Sequence, residues 1–174
     1  MVVPMLAQAQ ANSNAPISRP PSLDLAGIKA VARDLASRPY QDHRLALSPR
    51  LSEMGYDELK QIVFDERKSV WRRERLPFQL HFFHPGGRQD QIDLNLVDGD
   101  EATPVPFSRD FFDYGANSQF SWADFRNARF SGFRVLYPLN HPNKLDEVIV
   151  FHGASYYRVA PAGLVYLRHL GVGN

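Results

Sequence analysis

The sequence contains no cysteine among its 174 residues. This absence excludes a disulfide framework, thiolate metal ligands and a cysteine nucleophile, although it leaves the cellular compartment open. An excess of charge of one sign is also lacking, because 20 Lys and Arg stand against 19 Asp and Glu for a net charge of +1. The charge therefore gives no reason to expect nucleic acid or an anionic membrane surface as a partner.

Long apolar runs and the best-known catalytic motifs are missing as well. No stretch is apolar and long enough to predict a stable membrane span. The sequence has no glycine-rich nucleotide loop, no H-E-x-x-H zinc motif and no G-x-S-x-G nucleophile elbow. We therefore predict no cofactor, no metal site and no catalytic residue within this chain.

The residues closest to a metal or catalytic arrangement have simpler interpretations. His81 and His84 are three residues apart, which on a strand places them on opposite faces, so they are not expected to share a metal ion. Asp65-Glu66 and Asp146-Glu147 are adjacent carboxylate pairs, whereas glycoside hydrolysis needs two carboxyl groups about 5 to 10 Å apart across the sugar bond. Because sequence neighbours usually point apart, we interpret both pairs as solvated surface or salt-bridge partners.

The N-terminus carries a short apolar run followed by Ala9-Gln10-Ala11. This A-x-A pattern is typical of the end of a secretory signal, although a basic segment is absent and a chance match is the alternative. The polar, proline-rich residues that follow, up to Pro21, predict a flexible leader. We expect residues 1–21 to be a clipped signal remnant and leader, with the mature chain beginning at Asn12.

Apolar spacing predicts two helices followed only by strands and turns. Leu25, Ile28, Ala32 and Leu35 form one helical face, which Ser22 or Asp24 can cap, and a second short helix is predicted over residues 56–62. From residue 78 the apolar period is two, with Asp98-Gly99 as a hairpin signal. We predict strands at residues 78–83, 92–96, 133–137, 148–151 and 155–159, with a loop at residues 140–143. This order predicts a mainly β, antiparallel protein with one or two N-terminal helices.

Residues 151–158 (FHGASYYR) combine small residues with hydroxyl, guanidinium and aromatic groups. Small residues permit close backbone approach, and the other groups are those that a polyol ligand needs. Period two places Ser155 and Tyr157 on one face and Tyr156 and Arg158 on the other. The alternative is an edge strand with ordinary packing.

Five segments, in order, resemble the glucan biosynthesis protein G/D family (OpgG/OpgD, also called MdoG). The most specific are residues 132–140 (GFRVLYPLN) and residues 146–148 (DEV) leading into 153–158 (GASYYR). Residues 77–86 (PFQLHFFHPG) are also similar to the family, as are residues 56–71 and, more loosely, residues 95–115. The similarity extends from Leu23 to Tyr166, and the tail at residues 167–174 departs from the family pattern.

The resemblance implies a periplasmic protein that acts on the β-linked glucose backbone of osmoregulated periplasmic glucans. It also implies a large β-sandwich domain, like that of galactose mutarotase. Some members cleave β-1,2-glucan with an acidic residue, but that chemistry lies downstream of the segments matched here. The candidate carbohydrate-binding residues in this chain are Tyr156, Tyr157 and Arg158, with Tyr137 and His84 as weaker candidates.

Residues 22–174 are accordingly expected to be the N-terminal part of that sandwich domain, and the chain a fragment that contributes part of a sugar-binding cleft. A stand-alone carbohydrate-binding module without catalysis and a non-functional remnant are the alternatives. In the family, later strands supply much of the surface that faces these strands. We therefore expect the chain, made alone, to fold poorly.

Overall fold

The computed structural model describes residues 24–40, 46–87, 89–99, 101–117, 119–153 and 155–160. These residues divide into two compact units, of which one contains the first helix and residues 97–102 and the other contains all the rest. The expected signal remnant and leader lie outside the described residues, as does the tail at residues 167–174. None of the helices within the described ranges has the length and apolar character that crossing a membrane requires.

The first helix, α1, spans Leu25–Ala36. Of the two predicted caps, the residue that serves is Asp24, whose Oδ1 accepts a hydrogen bond from the backbone N–H of Gly27 at 2.8 Å. The helix ends at Ser37, ahead of Pro39, because the residue before a proline avoids the helical conformation. The helix predicted from apolar spacing is therefore confirmed.

Two short helices begin the second unit. α2 spans Pro49–Ser52, with a proline in its first turn, and was not predicted from the sequence. α3 spans Tyr56–Gln61, as predicted, and the Glu58 side chain accepts a hydrogen bond from the Gly55 N–H at 2.8 Å in its first turn. That hydrogen bond fixes the start of α3, which forms one side of the cavity described below.

Four antiparallel strands make the main sheet, in the order β2-β6-β7-β8. They are β2 (Gln79–Phe83), β6 (Gly132–His141), β7 (Lys144–His152) and β8 (Tyr156–Val159). The loop predicted at residues 140–143 is wrong in extent, because His141 pairs with Lys144 and leaves a two-residue turn. Asp146 supports this tight hairpin by accepting hydrogen bonds from the backbone and side-chain amides of Asn140.

Two smaller strand pairs complete the β structure. β1 (Val63–Phe64) pairs with β5 (Phe112–Asp113), and β3 (Asn95–Asp98) pairs with β4 (Glu101–Pro104). Gly99 between β3 and β4 has a φ of 57°, as the predicted hairpin turn requires. The strand predicted over residues 92–96 is wrong in position. Ile92 forms an isolated β-bridge with Phe130, whereas the regular strand β3 begins only at Asn95 and pairs with β4. The apolar run is therefore divided between these two partners.

Aromatic rings dominate the core of the second unit. Phe130 is almost fully buried, and its neighbours pack around it in tilted and edge-on contacts with ring centroids 4.4 to 6.4 Å apart. The core cluster consists of Leu51, Met54, Ile62, Phe64, Phe82, Phe112, Tyr114, Phe120, Phe125 and Phe130. This mainly β, antiparallel architecture with an N-terminal helix confirms the predicted fold class.

The strand register gives the main sheet two chemically different faces. The charged face carries His81, Arg134, Glu147 and Arg158, which lie on four different strands. The aromatic face carries Phe133, Phe151 and Tyr157, whose rings follow one another across β6, β7 and β8 at centroid distances of 5.0 and 6.4 Å. Neighbouring residues of one strand point to opposite faces, so a single strand contributes to both.

Candidate functional site

A cavity of about 570 Å³ lies where the end of the main sheet meets α3. The end of β2, the residue before β6, the end of β7 and the start of β8 all contribute to it. Its volume falls in the range of about 300 to 1,000 Å³ that is usual for small-molecule sites. The lining residues are Tyr56, Leu59, Ile62, Phe83, His84, Gln89, Ser131, Val150, His152, Tyr156 and Arg158.

Three of the five candidate sugar-contact residues meet in this cavity, namely Tyr156, Arg158 and His84. Tyr156 and Arg158 lie two residues apart on β8 and share a face, as the period of two predicted. His84 comes from a distant part of the chain, directly after β2. The structure thus brings together residues that the sequence separates by more than 70 positions.

The other two candidates lie on the opposite side of the sheet. Tyr157 belongs to the aromatic face, 6.4 Å from the Phe151 ring, and is 71% exposed. Tyr137 stacks on Phe78 with ring centroids 4.6 Å apart. Neither tyrosine lines the cavity at the end of the sheet.

His84 is a buried, neutral member of the cavity wall. Its Nε2 atom lies 3.0 Å from the Tyr114 hydroxyl oxygen, and its ring contacts Phe107, Phe112, Tyr114 and Phe125 edge-on. Burial lowers the pKa of His84 to about 4, against a smaller opposing effect of the Pro85 backbone. The imidazole is therefore uncharged at neutral pH, and no side chain among the described residues gives its Nδ1 atom a hydrogen bond.

Gln89 and Ser131 also line the cavity, and sequence reasoning missed both. The Gln89 Oε1 atom is buried without a hydrogen-bond partner among the described residues. The Ser131 hydroxyl donates to the backbone oxygen of His84 at 2.9 Å, which fixes the wall behind the imidazole. The turn just before Gln89 was the available sequence signal for its position. A Cβ on Gly86 in that turn would lie only 2.6 Å from Leu59 Cδ2, so a glycine there lets the chain pass close to α3.

The charged face joins this cavity at Arg158. The Glu147 carboxylate contacts the guanidinium of Arg158 and lies 3.5 Å from that of Arg134. Asp65 of the other carboxylate pair binds Arg67 at 2.8 Å, and this hydrogen bond lowers the pKa of Asp65. The interpretation of both acidic pairs as salt-bridge or surface residues is confirmed.

A second cavity of about 750 Å³ lies around β1 and β5. Its lining combines acidic and basic side chains, including the ion pair of Asp65 with Arg67. Arg109 lies at its edge with its guanidinium 5.2 Å from the Tyr114 ring centroid. This cavity contains none of the five candidate sugar-contact residues, so the cavity beside α3 is the better candidate site.

Comparison with known proteins adds the family context. The sequence model of the family described as "Periplasmic glucan biosynthesis protein, MdoG" matches residues 23–167. Among curated proteins, a glucans biosynthesis protein G of Ralstonia nicotianae (strain ATCC BAA-1114 / GMI1000) is 42% identical over 140 residues, which cover 80% of this chain and 28% of that protein. A glucans biosynthesis protein G of Shewanella frigidimarina (strain NCIMB 400) is 38% identical over 137 residues, or 78% of this chain and 24% of that protein.

A third relative, a glucans biosynthesis protein G of Bradyrhizobium diazoefficiens, is 36% identical over 166 residues, which cover 95% of this chain and 31% of that protein. The chain therefore spans about a quarter to a third of the length of the curated relatives it matches.

Proposed function

The chain belongs to the periplasmic glucan biosynthesis protein family MdoG, and from this premise we propose that its cavity beside α3 is one wall of a site for the β-linked glucose backbone of a periplasmic glucan. One observation carries the proposal. Tyr156, Arg158 and His84, which the sequence singled out as candidate sugar contacts, line a single cavity of about 570 Å³.

The chemistry of this cavity suits a neutral sugar. Tyr156 is 51% exposed and offers a flat ring to the apolar face of a glucose unit. Arg158 supplies several hydrogen-bond donors at the cavity. Gln89 Oε1 is a buried acceptor without a partner among the described residues, and a sugar hydroxyl, which can donate, would satisfy it.

We further infer that residues 22–174 form the N-terminal part of a β-sandwich domain and that the protein works in the periplasm. The family description supports the location, and the coverage of a quarter to a third of the relatives' length supports the inference of a partial domain. N-terminal sequencing of the protein recovered from a periplasmic extract tests the location. We expect a chain that begins at Asn12, and a cytoplasmic product with an intact N-terminus would contradict the inference.

The aromatic face supports a second candidate function, that of a carbohydrate-binding module without catalysis. Phe151 and Tyr157 are 40% and 71% exposed, and with Phe133 their rings form a row across three strands. Rows of exposed rings can stack on sugar units as well as pack against protein. This alternative puts the sugar on the opposite side of the sheet from the cavity.

Calorimetric titration with β-1,2-linked gluco-oligosaccharides, and with α-1,4-linked ones as a control, tests the proposed function. We expect the 174-residue chain to bind the β-linked sugar more tightly. Arg158→Ala should weaken binding about 10- to 100-fold, since a hydrogen bond to a charged group contributes about 1.5 to 3 kcal/mol. Stability should change little, because Glu147 keeps its second arginine. Lost stability with unchanged binding would make Arg158 a purely structural residue.

A further inference from the structure

A continuous row of polar groups crosses the main sheet and ends at the cavity. On β2, His81 Nε2 lies 2.7 Å from the Ser69 hydroxyl, and His81 Nδ1 lies 3.2 Å from Arg134 Nη2 on β6. Arg134 Nη1 then lies 3.5 Å from Glu147 Oε2 on β7. The other carboxylate oxygen, Oε1, accepts from Arg158 Nη2 on β8. All four strands of the sheet contribute one member.

The chemistry of the donors fixes the direction of this row. An arginine can only donate, so His81 Nδ1 is the acceptor and Nε2 carries the proton. The Nε2–H therefore donates to the Ser69 hydroxyl, which donates in turn to the backbone oxygen of Glu66 at 2.7 Å. Burial, with smaller effects of Arg134 and Arg72, lowers the pKa of His81 to about 4, so the neutral imidazole that this arrangement needs is the stable form.

A β-bulge places Glu147 on the charged face. Val135 pairs with Ile149, but the next residue of β6, Leu136, pairs with Glu147, so Val148 is the extra residue of β7. Without this extra residue, Glu147 would share a face with Ile149, opposite Arg134 and Arg158. Bulges recur next to binding sites because they redirect a side chain. Here the bulge brings a carboxylate, 27% exposed, between two guanidinium groups.

We propose that Glu147 is a positioning residue of the sugar site, which holds the guanidinium of Arg158 at the cavity while Arg134, itself held by His81, anchors the carboxylate from the other side. This inference rests on the proposed function, because it takes Arg158 as a sugar contact. A flexible arginine loses freedom when it binds a ligand. Holding it in place beforehand removes part of that cost.

The test compares Glu147→Gln with Asp146→Asn, its neighbour on β7. Both changes replace a carboxylate by an amide of the same shape, but Asp146 binds Asn140 in the hairpin and does not line the cavity. We expect Glu147→Gln to weaken binding of the β-linked gluco-oligosaccharide about tenfold, and Asp146→Asn less than about twofold. In an Arg158→Ala background, Glu147→Gln should cause no further loss, because it acts through Arg158.

The NMR signal of the Arg158 Nε–H group, assigned with Arg158→Lys, gives a second readout that general stability does not move. We expect Glu147→Gln to shift and broaden it and Asp146→Asn to leave it unchanged. An unchanged signal, or an equal loss of affinity in the Arg158→Ala background, would overturn the inference. If Glu147→Gln does not fold, Glu147→Asp gives the same readouts, because its shorter side chain cannot reach both arginines.

Failure of the proposed function can be distinguished from failure of the inference about Glu147. An unaltered chain that does not bind the sugar overturns that function, and the Arg158 signal then decides whether Glu147 orients Arg158.

Discussion

Two histidines illustrate how burial decides chemistry at single residues. His81 and His84 are both buried, and burial is the main reason why the pKa of each falls from 6.5 to about 4. His84 is also enclosed by aromatic rings, which exclude the water that would solvate its charged form. Both side chains therefore serve as neutral hydrogen-bonding groups in the folded protein.

This neutrality predicts a pH-dependent stability. Between about pH 6.5 and pH 4 the unfolded chain binds more protons at these histidines than the folded chain, so stability falls as the pH falls through this window. Each histidine contributes a slope of at most about 1.4 kcal/mol per pH unit. Urea unfolding at pH 7.0, 6.0 and 5.0 measures the free energy of unfolding at each pH and so gives this slope. His81→Gln should reduce the slope, whereas a flat profile in the unaltered chain would refute the account.

Strands and helices could be predicted where the apolar pattern was regular. The period of two located β2, β6 and β8 and separated Tyr156 from Tyr157 correctly, and helical spacing located α1 and α3. The bulge at Val148 could not be predicted, because no glycine or other sequence signal marks the extra residue. The face on which Glu147 lies could therefore not be predicted from the sequence.

Close approach of two strands predicts the effect of one glycine substitution. A Cβ on Gly132 would overlap the Phe151 backbone oxygen and lie 2.9 Å from His152 Cα, both on the paired strand β7. We expect Gly132→Ala to destabilise the chain by about 1 to 3 kcal/mol, because backbone cannot move aside as a flexible side chain can. Gly55→Ala is the control, since its Cβ would meet only Glu58 Oε2 at 3.7 Å. Equal unfolding midpoints for the two variants would show that this contact is not tight.

On the scale of the whole molecule, the second unit has a buried aromatic core and an exposed aromatic sheet face. The buried core cluster favours a stable fold, whereas the exposed aromatic face favours the expectation that the chain folds poorly. Each large apolar side chain that is buried rather than exposed contributes about 1.5 to 3 kcal/mol. Part of the stabilisation that Phe151 and Tyr157 could provide, the larger part for Tyr157, is therefore unused in the chain by itself.

We expect the 174-residue chain to have low stability and to associate through the aromatic face. Light scattering after gel filtration and thermal unfolding measure both properties. Replacing Phe151 and Tyr157 by serine should lower the average mass, whereas Tyr40→Ser, at an exposed tyrosine of the other unit, should not. A soluble monomer with a sharp, cooperative transition would refute this expectation and favour a stand-alone binding module.

The adjacent residues Tyr156 and Tyr157 allow the most direct test of the central claim, that the sugar binds in the cavity beside α3. Both are exposed, but only Tyr156 lines the cavity. The measurement is the affinity of Tyr156→Ala and Tyr157→Ala for a β-linked gluco-oligosaccharide, from calorimetry and from the ligand-induced rise in Tm. We predict a loss of about fivefold to tenfold for Tyr156→Ala and less than about twofold for Tyr157→Ala. The reverse order, or no loss in either variant, would contradict the cavity as the sugar site.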